Sequence, residues 1–214
     1  MNEKQLNEQE SLELITRMIQ NTKKSMQLGS GNIFLLWGYV CTAVTLVVFA
    51  GVFITGNSRW SLGWWGIPLI GFPINLWLIK RQPKSVITYI NKVITTVWRY
   101  VTLFGICITT CILLFSHHME LLIPLSLMLC SIGTMLTGAL LTDRWMRHSG
   151  MISFCLSIVI LTAMISWLSS NVDIRVYWSY FYTYAVPTYA LCFVFMMIIP
   201  GYRLNYKAKK EAYV

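Results

Sequence analysis

The sequence predicts an all-α, polytopic membrane protein with six transmembrane helices, both termini inside (N-in/C-in), and an amphipathic cytoplasmic N-terminal helix. Three observations predict this. Of the 214 residues, 56% are hydrophobic and 12% charged, whereas a soluble domain carries about 25% charged residues. Mean hydropathy is correspondingly high, at +0.60. Six long windows lack Asp, Glu, Lys and Arg, on the scale of the roughly 20 apolar residues that one crossing needs. The basic residues then collect on one side of those windows. Such a composition excludes a disordered chain, a nucleic-acid-binding module and an ordinary cytosolic enzyme.

Residues 1–31 read as a cytoplasmic amphipathic helix ending in a Gly-Ser hinge. Asn7 and Glu10 have capping-box spacing. Glu8, Glu10 and Glu13 precede Arg17, Lys23 and Lys24, the order that the helix dipole favours. Leu12, Ile15, Ile19 and Met26 share one face, and Gly29-Ser30-Gly31 ends the helix. Three uses of that face stay open: lying on the inner membrane surface, pairing with a copy of itself or a partner helix, or packing on the chain's other cytoplasmic helix. A polar start before a span too long for a signal-peptide core gives no expectation of cleavage.

The membrane domain covers residues 32–202, with spans at about 32–55, 60–79, 100–116, 121–142, 149–172 and 176–202. The second holds Pro68 and Pro73 and the third is short, so five spans is the competing count. Charge favours six. With the N-terminus inside, the inner segments hold Lys80, Arg81, Lys84, Lys92, Arg144, Arg147, Arg203, Lys207, Lys209 and Lys210 beside the N-terminal cations. The outer loops hold Arg59 and Arg175 alone. Short-loop Lys/Arg bias sets orientation. The tryptophans agree, because Trp60, Trp64, Trp65, Trp167 and Trp178 fall at outer ends and Trp37, Trp77, Trp98 and Trp145 near inner ends.

Between spans two and three, residues 84–99 read as a second amphipathic helix running into span three. Ile87, Ile90, Ile94 and Val97 form its apolar stripe. Residues 203–214 form a basic cytoplasmic tail, with Pro200-Gly201 read as the helix stop before it. Neither region has room for a soluble catalytic domain. The net charge of +9 then reflects flanks facing anionic lipid, and nucleic acid is not an expected partner.

The membrane part offers few reactive groups. No span contains Asp or Glu; Glu120, Asp143 and Asp173 fall at ends or in loops. Intramembrane carboxylates mark proton relays and cation pathways, so their absence argues against both. Asn75, Arg99, Ser131 and Thr134 make up the candidate polar membrane site. Asn75 ends the run Gly66-Ile-Pro68-Leu-Ile-Gly71-Phe-Pro73, whose prolines and glycines predict a kinked or unwound helix. Arg99 sits between Trp98 and Tyr100 and snorkels to the inner interface or contacts an anionic headgroup. Ser131, Thr134 and Gly138 form a small-residue stripe, read first as close helix packing and second as a pore lining. His117 and His118 lack any accompanying metal-ligand spacing, and the six cysteines read as apolar packing residues. No nucleophile has a base at matching depth. Pro68, Pro124 and Pro187 recur near the outer starts of outside-to-inside helices, hinting at three helical hairpins.

Four stretches, Glu10–Lys23 (ESLELITRMIQNTK), Leu35–Tyr39 (LLWGY), Ser131–Gly138 (SIGTMLTG) and Ile199–Leu204 (IPGYRL), carry a likeness. The chain resembles a family of uncharacterised six-helix membrane proteins common in Bacteroidota-type bacteria. Members often have Trp at the position of Tyr39 and His at that of Tyr202. The resemblance implies a multi-pass inner-membrane location and, having no known activity behind it, no chemistry.

The expectation is therefore a bacterial inner-membrane protein without catalytic residues, cofactor or metal, acting as an adaptor or regulatory subunit through its cytoplasmic helices. Its expected partners are the lipid bilayer and either a further copy of itself or a cytoplasmic protein. The alternative is a carrier of a small solute or lipid headgroup that uses the second span.

Overall fold

The computed structural model describes residues 12–13, 16, 30–81, 89–115, 118–170 and 173–212, and these are all-helical with no strand among them. Six helices are long and apolar enough to cross a membrane: Gly31–Thr55, Arg59–Arg81, Tyr89–Leu114, Met119–Leu140, Arg144–Ser169 and Val176–Lys207.

Helix α1 (Ser30–Thr55) is apolar all round, as a helix flanked by both protein and lipid must be. Its buried positions, Gly31, Phe34, Gly38, Cys41, Thr45 and Val48, alternate by three and four residues, the seam of a left-handed helix pair. Gly56 ends it at φ 63°, returning its N–H to the Val52 carbonyl at 2.8 Å, a left-handed cap that glycine adopts without strain. Asn57 then accepts from the Arg59 N–H at 3.0 Å, opening a 3-10 stretch over Ser58–Trp65.

Helix α2 (Gly66–Arg81) follows without interruption. Of the kinked and unwound readings of Gly66–Asn75, the unwound one is not present, because α2 stays helical through Pro73. Pro68 lies in the first turn, where its missing N–H costs no helical bond. The irregular geometry lies one step earlier, in the 3-10 stretch. Helix α2 packs on α1 through Gly71, where an added methyl would lie 2.6 Å from the Trp37 ring, and through a Trp37–Phe72 edge contact of 5.4 Å. Its other side, including Leu69, Leu76 and Trp77, is exposed.

Helix α3 (Tyr89–Phe115) is one continuous rod of 27 residues. The helix is unbroken at residue 100, where the second amphipathic helix was expected to run into the third span. It touches the bundle through Trp98, which meets Phe34 edge-on at 5.6 Å and donates from Nε1 to Thr137 Oγ1 at 3.2 Å.

Helices α4 (Leu122–Leu140) and α5 (Arg144–Ser169) form the tightest pair. A methyl on Gly138 would lie 2.6 Å from the Arg147 amide nitrogen, and one on Gly150 2.9 Å from that of Met135. The buried residues Pro124, Leu127, Ser131, Thr134 and Gly138 repeat the three-four spacing seen in α1.

The last span is built from α6 (Ile174–Tyr180), α7 (Val186–Phe193) and α8 (Ile199–Ala212), joined by π turns at Phe181–Ala185 and Val194–Ile198. Each π turn immediately precedes a proline-bearing turn. Pro187 and Pro200 would clash with the carbonyls four residues back, at Thr183 and Met196, and widening the helix there relieves both. Pro200-Gly201 therefore does not stop the helix, which continues to Ala212; the first ten residues of the expected tail extend it. Pro187 lies well inside this span, so the hint of three equivalent hairpins fails at the third.

The last span runs beside α1 for most of its length. Gly38 faces Ile198, Gly31 faces Gly201, and Asn205 Nδ2 donates to Asn32 Oδ1 at 2.7 Å. Val48, Leu127, Met146, Val186, Phe193, Met196 and Met197 fill the centre with essentially no exposure. Of the expected N-terminal face, Leu12 is helical and 64% exposed; Ile15, Ile19 and Met26 lie outside the described residues.

Candidate functional site

The candidate polar membrane site does not assemble into one place. Ser131 and Thr134 are fully buried on α4. Each hydroxyl donates to its own helix, Ser131 to the Leu127 carbonyl at 2.7 Å and Thr134 to that of Cys130 at 2.8 Å. Such bonds satisfy hydroxyls inside a bundle without any ligand. Asn75 sits on α2, half-buried, and its side-chain oxygen is buried with no hydrogen-bond partner. Arg99 is exposed on α3. It lines a shallow groove of about 500 Å³ whose walls, from Thr96 to Ile106, all belong to that one helix.

Two buried carboxylates matter more than their loop positions suggest. At one end of α4, Glu120 is 7% exposed and lies 3.0 Å from His118 Nδ1. At the other end, Asp143 is 3% exposed. Its Oδ1 accepts from the Met146 N–H at 3.1 Å, capping α5, and its Oδ2 accepts from Lys207 of α8. Burial acts to raise the Asp143 pKa, but the Lys207 hydrogen bond, the Met146 cap and the Lys207 and Arg203 charges outweigh it. The carboxyl titrates below the ordinary Asp range. Beside it, the Arg203 guanidinium lies over the Trp145 ring at 5.0 Å, and Arg203 Nε is buried without a hydrogen-bond partner. Sequence spacing hides this group because its members are 60 residues apart; the one local signal is an Asp directly before a helix start, an N-cap pattern.

The opposite end of the bundle is aromatic and hydroxyl-rich. Ser61 Oγ and Tyr182 Oη are 2.8 Å apart, and Trp178 stacks on Tyr182 at 5.9 Å. They border a cleft of about 480 Å³ that Val52, Phe53 and Gly56 close from the α1 side. On the lipid-facing side of α1 and α8, the Tyr39 and Tyr202 hydroxyls meet at 2.6 Å. Among the described residues no three His, Cys, Asp or Glu side chains converge as metal ligands.

No protein-family model, curated protein or solved structure matches this chain.

Proposed function

We propose that this is a bacterial inner-membrane protein that works as a non-enzymatic adaptor or regulatory subunit. Its membrane bundle serves as a packed scaffold and its cytoplasmic helices engage a partner. One observation carries the reading: the hydroxyls at the centre of the bundle bond their own helices, and glycine contacts close the α4–α5 seam down to backbone distance. A core of this kind has no polar path to offer a solute. Helices α2 and α3 expose most of their apolar surface, which lipid or a second membrane protein can cover.

The end of the bundle that carries Lys80, Arg81, Lys92, Arg144, Arg147, Arg203, Lys207, Lys209 and Lys210 faces the cytoplasm in this proposal. Arg59 is the cation at the far end among residues whose side chains are described. That asymmetry supports both termini inside. The amphipathic segment over residues 7–28 is the proposed partner-binding element. Deleting residues 1–28 should abolish partner recovery in a detergent pull-down while membrane insertion persists. Recovery of the same partners without the segment would reject the proposal.

A second reading, a carrier for a small solute or lipid headgroup, draws on Asn75, whose buried side-chain oxygen lacks a partner. It requires substrate flux in proteoliposomes that Asn75→Leu or Arg99→Leu removes. Unchanged flux in both variants removes that site.

A further inference from the structure

We propose that the basic end of the bundle binds the phosphodiester headgroup of an anionic phospholipid, held between Arg203 of α8 and the Arg144-Trp145 start of α5.

A helix N-terminus carries partial positive charge and favours acidic residues in its first turn. Helix α5 has no acid there and instead places Arg144 and Arg147 in that turn. The neighbouring carboxylate, Asp143, is already bonded through both oxygens, to Met146 N–H and to Lys207. Arg203 and Lys207 thus act on a single buried carboxylate, and Arg144 follows it directly in the chain. One carboxylate does not balance these cations, and an anion can supply the remaining negative charge.

Arg203 holds its guanidinium against the Trp145 indole, and its Nε is desolvated without an acceptor. A buried donor left unpaired is costly, and a guanidinium fork suits two phosphate oxygens at once. Backbone N–H groups at the α5 start add further donors of the kind that bind phosphate.

Helix α8 crosses α1 where Gly201 meets Gly31, and Gly31 is the first residue of the α1 apolar window. Arg203 therefore lies where hydrocarbon gives way to headgroups. Trp145, 59% exposed, has the amphipathic ring favoured at that level. A diffusible phosphate has no use for an exposed indole at the bilayer edge, whereas a lipid presents its phosphate and glycerol backbone together there. At about 100° per residue, Arg147 points about 160° away from Trp145, the ring on which Arg203 rests, whereas Arg144 adjoins Trp145 in the chain. Arg147 is therefore the internal control.

The test uses the full-length chain, delipidated in detergent and titrated under native mass spectrometry. Phosphatidylglycerol, phosphatidylcholine and soluble glycerol 3-phosphate are the three probes. Phosphatidylglycerol should bind saturably and at least tenfold more tightly than phosphatidylcholine, and glycerol 3-phosphate should not displace it. Arg203→Gln and Arg144→Gln should each weaken it about fivefold, the effect of one cation near a charged membrane surface, and Arg147→Gln should leave it unchanged. Arg144 is exposed at a helix start, so its variant decides the question even if Arg203→Gln misfolds. Equal binding of phosphatidylcholine, full displacement by glycerol 3-phosphate, unchanged affinity in Arg144→Gln, or an equal loss in Arg147→Gln each overturns the proposal.

Discussion

Lys207 of α8 donates to the same carboxylate, that of Asp143, whose other oxygen caps α5. One side chain thus ties the α4–α5 turn to the end of the last span. The turn itself is strained at Thr142, a non-glycine residue at φ 54°, and the Asp143 N–H returns to the Gly138 carbonyl at 2.9 Å. Asp143 is the residue through which three helices share a fixed geometry at the basic end.

Replacing Asp143 with Asn keeps a cap acceptor but removes the ion pair. At neutral pH this should cost about 1–2 kcal/mol, less than a fully buried pair because Lys207 is partly exposed. The folded pKa lies below the unfolded value of about 3.9, so the pair contributes fully above that value. Its contribution disappears as pH falls through the lower, folded value. Thermal unfolding in detergent should show the same gap between wild type and variant at pH 7 and at pH 5, closing only below about pH 4. A gap that closes between pH 5 and 7 would assign the effect to another group.

Two glycines should answer the same substitution with opposite signs. At Gly138 a methyl would press on the Arg147 backbone at 2.6 Å, and backbone cannot step aside. Gly138→Ala should destabilise by about 1–3 kcal/mol, the range for overpacking. At Gly105 the nearest atom to an added methyl is Leu129 Cδ1 at 4.0 Å, an ordinary contact. Gly105→Ala should stabilise by about 0.5–1 kcal/mol through helix propensity alone. Paired unfolding midpoints read both, and a stabilised Gly138→Ala would reject the tight α4–α5 seam.

The small-residue stripe at Ser131, Thr134 and Gly138 was legible as a packing face because its three-four spacing is local. The same spacing in α1, from Gly31 to Val48, lay in the sequence too but was masked by an apolar background on every face. Hydropathy marks such a helix without saying which side is inside. Glu120 and Asp143 were legible as span ends but not as buried groups, since burial depends on Lys207 and other residues far along the chain. Proline chemistry overstated the interruption at both sites. Pro73 is tolerated inside α2, and Pro200 follows a π turn instead of ending the span. The effect of a proline depends on whether the preceding turn can widen, which its neighbours decide.

Orientation is open to direct measurement. In a cysteine-free background, Lys80→Cys and Lys209→Cys should both resist an impermeant thiol reagent added to intact cells and react after lysis. Arg59→Cys should react in intact cells. These positions end α2, lie in α8 and open the 3-10 stretch, respectively. Labelling of Lys80→Cys and Lys209→Cys from opposite sides would remove the even number of crossings on which the whole topology depends.

Asn75 separates the scaffold from the carrier by stability as well as by flux. Its side-chain oxygen is buried on α2 and accepts no hydrogen bond, a condition that costs about 1–3 kcal/mol when nothing relieves it. In a scaffold that cost is a plain defect, so Asn75→Leu should raise the unfolding free energy by about 1 kcal/mol and leave partner recovery intact. In a carrier the amide is held ready for a ligand. The substitution would again stabilise the empty protein, but it would abolish the further stabilisation that a bound substrate gives. Unfolding midpoints of wild type and Asn75→Leu, each measured with and without a panel of small polar solutes, distinguish the two. A solute that stabilises wild type and not the variant would displace the adaptor reading in favour of transport.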